Sequence, residues 1–206
     1  MTYPIFSITF LALLGVAAAV WLIRRAAHWR LQEKLQKAAR GDVQAQYEAA
    51  VLYYHGRGVP KDYAQAFAYM RLAAQQGHVK ALNALAALYF AGHGTEKDEP
   101  QALACYKQSA QAGDFEGMIN LAVMYRQGCG TQQNDEQAFA WMKKAADGGS
   151  PLGQRMLAEF YYAGIGTAVD KQQGLKYYAL AAAQKEPTAV KFLKYRDPRL
   201  QRHGPM

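Results

Sequence analysis

Cysteine is nearly missing from this chain, with two in 206 residues. Cys105 and Cys129 have neither the spacing of a metal site nor partner positions across a helical hairpin, so no disulfide framework is expected and both read as free thiols, which fits a reducing compartment. The five histidines, His28, His55, His78, His93 and His203, share no ligand spacing, and no metal is expected. There is no Gly-x-Ser-x-Gly elbow, and no glycine-rich turn runs on into Lys-Ser/Thr, so the commonest hydrolase and phosphate-cradle motifs are excluded. Catalytic residues and cofactors are therefore not expected, and the chain does not read as an enzyme. Acid is also short, with 16 Asp and Glu against 24 Lys and Arg, a net charge of +8. That balance admits a basic module binding anionic lipid or polymer; nucleic acid is disfavoured because no dense basic cluster forms.

What the chain has is repetition. Gly56-Arg57-Gly58 returns as Gly92-His93-Gly94, Gly128-Cys129-Gly130 and Gly164-Ile165-Gly166, and Gly41, Gly77, Gly113 and Gly149 mark a second joint at the same 36-residue spacing. A fixed period of this length predicts stacked supersecondary units, none of which buries its apolar face alone. In the first half of each unit the apolar places keep helical spacing, as in Ala81, Leu85, Leu88 and Tyr89, which predicts a helix A. After the turn stand Asp62, Asp98, Asn134 and Asp170, each followed three residues on by Gln65, Gln101, Gln137 and Gln173. That is the signature of a capping box opening a helix B. Small residues at Ala66, Ala102, Ala138 and Gly174, and at Ala74, Ala110, Ala146 and Ala182, predict a close seam between helices.

The pattern Ala-x3-Leu-x3-Tyr-x2-Gly-x-Gly-Thr/Val-x2-Asp-x2-Gln-Ala, closing on Ala-Ala and Gly, resembles the Sel1-like repeat family, relatives of tetratricopeptide repeats. The likeness covers residues 41 to 185, with departures at Ala49, Asn134 and Lys185. It implies an all-α, right-handed α-solenoid of four helix-turn-helix repeats, and a scaffold or adaptor role toward a protein or peptide partner. Some secreted members carry a cysteine pair in each repeat, which this chain lacks. By resemblance to tetratricopeptide proteins, one stripe of helix A lines a concave groove. Here it reads Gln44, Tyr47, Val51, Tyr54; Lys80, Asn83, Ala87, Phe90; Glu116, Ile119, Val123, Arg126; Leu152, Arg155, Glu159, Tyr162. Its types change from repeat to repeat while the scaffold residues stay alike. Tyr47, Tyr54, Phe90 and Tyr162 are the candidate aromatic anchors, with Arg126 and Arg155 the candidates for a partner carboxylate.

Outside the repeats, Ile5 to Ile23 is apolar except for Ser7 and Thr9. As a helix it is about 28 Å long, close to a bilayer's hydrocarbon thickness. No basic n-region precedes it, which favours an anchor over a cleaved leader. Lys and Arg are absent before the run, whereas Arg24, Arg25, Arg30, Lys34, Lys37 and Arg40 follow it. This places the repeats on the cytoplasmic side of an inner membrane, with an envelope-facing arrangement as the alternative. Arg24, Arg25 and Arg30 are candidates for contact with anionic lipid. The expected divisions are 1–4, the span 5–23, a basic linker and N-capping helix 24–40, repeats 41–76, 77–112, 113–148 and 149–185, a half-repeat cap 186–198 and a basic tail 199–206. In this register Leu31 takes the place of Phe67 and Ala38 that of Ala74, so 24–40 reads as an orphan helix B.

Overall fold

The computed structural model describes residues 29–196. The expected span Ile5 to Ile23, the flanking Arg24 and Arg25 and the 199–206 tail lie outside the described residues. Among the described residues, no helix is long and apolar enough to cross a membrane. Those residues form ten helices and no strand. They are α1 (29–39), α2 (Val43–His55), α3 (Tyr63–Gln75), α4 (Val79–Ala91), α5 (Glu99–Gln111), α6 (Phe115–Gln127), α7 (Asp135–Asp147), α8 (Pro151–Ala163), α9 (Lys171–Ala183) and α10 (Pro187–Arg196). The chain divides into two compact units, Met1–Gln76 and Gly77–Met206.

Every repeat closes its helices with the same local chemistry. The first glycine of each turn, Gly56, Gly92, Gly128 or Gly164, caps helix A in the left-handed region, and its N–H donates four residues back. The second glycine, Gly58, Gly94, Gly130 or Gly166, also has positive φ. Helix B then starts on a side-chain oxygen: Asp62, Asp98, Asn134 and Asp170 accept from the N–H of Gln65, Gln101, Gln137 and Gln173 at 3.0, 3.0, 2.8 and 2.9 Å. The expected return bond from the Gln side chain is not used. The N–H of each of these capping residues donates instead to a helix A carbonyl, that of Tyr53, Tyr89, Tyr125 or Tyr161, at 2.8 to 3.0 Å. One residue thus starts helix B through its side chain and ties it to helix A through its backbone N–H.

In the first unit α2 and α3 form a hairpin and α1 lies against them. Ala38, Ala45 and Ala49 form its small core with Leu35 and Tyr69, and Tyr53 stacks on Tyr69 at 5.9 Å between ring centroids. The end of α1 repeats the geometry of a helix B: Asp42 donates to the carbonyl of Lys37 at 3.1 Å, as Asp114 does to Ser109 at 3.2 Å two periods on.

The second unit stacks hairpins α4/α5, α6/α7 and α8/α9, followed by the single helix α10. Leu121, Met142 and Leu157 are its largest fully buried apolar side chains, each contributing about 1.5–3 kcal/mol by leaving water. Tyr161 stacks on Tyr177 at 5.9 Å, as its counterparts do in the first unit. The joint before α10 departs from the rest, because Lys185 takes the place of Gly149 and keeps φ at 64°.

Candidate partner-binding face

The candidate stripe on helix A separates into rows once its burial is known. In the second unit the i+3 row is turned inward: Asn83 is 8% and Ile119 6% exposed. Asn120 Nδ2 donates to Asn83 Oδ1 at 3.1 Å, tying α6 to α4, and Ile119 belongs to the apolar core. Arg155, at the same place in α8, pairs with Glu159 one turn along and stands 3.4 Å from Glu186 at the start of α10. Glu186 also accepts from the N–H of Ala189 at 2.5 Å, so this guanidinium is engaged by the chain's own carboxylates. The row holds neighbouring repeats together.

Two rows stay in solvent. Lys80 and Glu116 are exposed in the first of them, with Leu152 beside them. In the i+10 row Phe90 and Arg126 are exposed. The Arg126 guanidinium lies over the ring of Phe160, 5.6 Å from its centroid, and Lys97 Nζ is 5.4 Å from the Phe90 ring. A guanidinium held over a buried ring keeps its donors in solvent while losing rotamer freedom in advance, which favours bidentate capture of a carboxylate. Tyr162, one period later, is differently used. Its ring packs on Tyr178 and Phe192 at 5.9 and 5.6 Å and seats α10 on the last hairpin. A Cβ at Gly174 would lie 2.6 Å from that ring, so the glycine is what admits it.

In the first unit Tyr47 and Tyr54 lie half-buried on α2. The Tyr54 ring meets Tyr63 at 5.2 Å and His55 at 5.0 Å, and Lys61 Nζ sits 4.5 Å from Tyr63. These cation–ring contacts were not read from sequence. The signal was available for Lys97, five residues beyond its turn glycine, but a ring partner from the next repeat has no sequence-local mark.

Burial pushes the Cys105 thiol up to about 11 and, with Glu116 adding to it, the Tyr106 hydroxyl up to about 12. Both are consequences of packing. Among the described residues no group of three or more His, Cys, Asp and Glu could hold a metal ion.

Stacked helical hairpins with constant joints and a changing surface row define an α-helical repeat protein. The Sel1 repeat model matches residues 43–78, 79–114, 115–150 and 151–186, and the chain belongs to the Sel1 repeat family. No curated protein matches it. A protective antigen of uropathogenic Escherichia coli strains displaying an SLR fold is 33% identical, with a TM-score of 0.75 over 80% of this chain and 35% of that one. A Sel1 repeat protein from Oxalobacter formigenes is 30% identical, with a TM-score of 0.75 over 82% of this chain and 67% of that one. An immunity protein from Pseudomonas aeruginosa is 25% identical at a TM-score of 0.54, covering 74% of this chain and 57% of that one. Sel1 repeat proteins generally mediate protein–protein interaction on a scaffold fold without catalysis.

Proposed function

We propose that this chain is a single-span inner-membrane adaptor whose cytoplasmic repeats recruit an extended peptide or a partner helix bearing an acidic group. The reading is carried by Arg126, an exposed guanidinium oriented on the Phe160 ring within a row whose residue type changes from repeat to repeat. The binding set is Arg126 and Phe90, both in the second unit; the half-buried Tyr47 and Tyr54 are separate candidates on the first, and Arg155 and Tyr162 support the scaffold. Placement at the membrane rests on the apolar run Ile5 to Ile23 and the cations that follow it. Anchoring raises local concentration at the bilayer without any new contact.

The test is crosslinking capture of the full-length protein from native membranes, beside Arg126→Glu and with a reporter fused after Met206. A cytoplasmic reporter and a partner lost in the variant at unchanged helicity are the expected results. A partner retained by Arg126→Glu refutes the assignment of the site. Capture of anionic lipid or polymer alone, lost at moderate salt, replaces the adaptor with the basic-module reading.

A further inference from the structure

The two end helices break the repeat at the same seam. Inside the stack, helix A and helix B of one repeat meet through small residues: Ala50, Ala66, Ala86, Ala102, Ala122, Ala138 and Ala158 are all 0% exposed. Gly174 faces Ala158 across this seam, where an added Cβ would lie 3.2 Å from the Ala158 carbonyl oxygen. One period before Ala66, α1 carries Arg30, and one period after Ala158, α10 carries Lys194. Each end therefore presents a cation where a further repeat would need a small residue.

On α1 that cation has company. Arg30, Lys34 and Lys37 stand at i, i+4 and i+7, one face of the helix. They line an open cleft of about 300 Å³ with Glu33, Asp42 and Glu48. Lys34 is paired with Glu48 at 2.5 Å and Lys37 with Glu33 at 2.9 Å, while Asp42 is committed to capping α2 at 2.7 Å. Arg30 makes no ion pair among the described residues. Trp29, beside it, is 65% exposed.

We propose that the start of α1, with Trp29 and Arg30, rests on the phosphate headgroups of anionic lipid, which take the position a preceding helix A would hold. The inference rests on the anchored reading above: the apolar run ends at Ile23, six residues before Trp29, a reach of at most about 20 Å even fully extended. An amphipathic ring and an unpaired guanidinium suit the interface, and each basic residue held near an anionic surface favours contact roughly fivefold. A second copy stacked head to tail is the competing occupant, but its Lys194 would be driven against Arg30 across the seam. Like charges brought together there oppose it.

Amide exchange of α1 in the full-length protein decides, in nanodiscs of zwitterionic lipid and of the same lipid with about one-third phosphatidylserine. Exchange over 29–39 is expected to slow at least about threefold on the anionic discs, less than the fivefold free-energy limit for one cation, and to lose that difference in Arg30→Glu and at high salt. Equal exchange on both discs overturns the proposal while leaving the anchor standing. Extraction of the protein by alkaline wash, with α1 still slowed on anionic vesicles, breaks the anchored reading and keeps the end-face contact. Protection that appears on 29–39 and 187–196 together and grows with protein concentration names a second copy and overturns the lipid assignment.

Discussion

One carbonyl restricts the second glycine of the last turn. A Cβ at Gly166 would lie 2.0 Å from the Asp135 carbonyl oxygen at a φ of 64°, whereas Gly149, at a φ of 98°, has nothing within 4 Å. Gly149→Ala therefore carries left-handed strain alone, about 1 kcal/mol, and Gly166→Ala adds a clash with backbone that brings the loss to about 3 kcal/mol or more. Chemical denaturation of the two variants in parallel checks the order. The reverse substitution is available at Lys185, which sits at φ 64° in the place of a glycine. Lys185→Gly is expected to raise stability by about 0.5–1 kcal/mol, read as a higher denaturation midpoint. Thiol chemistry separates the two cysteines as well. Cys105 is buried with its thiol pushed up to about 11, so at neutral pH a maleimide should modify Cys129 alone in the native protein and both after unfolding.

At the scale of the element, α1 is held to α2 by charge as well as by its alanine core. Gln44 donates to Glu48 at 2.8 Å and Lys34 pairs with the other oxygen at 2.5 Å. Those two bonds, the Gln44 bond first, hold the Glu48 carboxyl below its ordinary 4.5. A lowered folded value means that the contribution is complete above the unfolded value and is lost as pH falls through it and below. The pair is partly exposed, so about 0.2–1 kcal/mol is at stake. Protection of the amides over 29–39, taken against their intrinsic exchange rate at each pH, should fall on acidification through this range, and Glu48→Gln should flatten that response. Helix starts were legible in sequence because an Asn or Asp cap is a local, short-range choice. The return bond from the Gln was not, because the competing acceptor is a tyrosine carbonyl nine residues earlier, set by how the hairpin closes.

For the whole molecule, the period, the hairpins and the eight turn glycines were legible because each repeats four times against a varying background. The surface was only partly so. A stripe at i, i+3, i+7, i+10 looks uniform on a helical wheel, yet Asn83 and Ile119 are buried and Arg155 half-buried, while Lys80, Glu116 and Arg126 are exposed. A wheel contains one helix, and that distinction needs two. The sequence leaves Tyr162 open between anchor and inter-repeat packing for a related reason: its partner Phe192 belongs to the closing half-repeat, where the pattern changes. The most direct measurement of the adaptor account is face-selective photocrosslinking in native membranes. A photoreactive residue replaces Glu116, exposed on helix A, or Glu136, exposed on helix B of the same repeat. A partner adduct from the Glu116 position, absent from the Glu136 position and lost when Arg126→Glu is added, is the predicted result. Adducts formed equally from both positions, or only from Glu136, would contradict it.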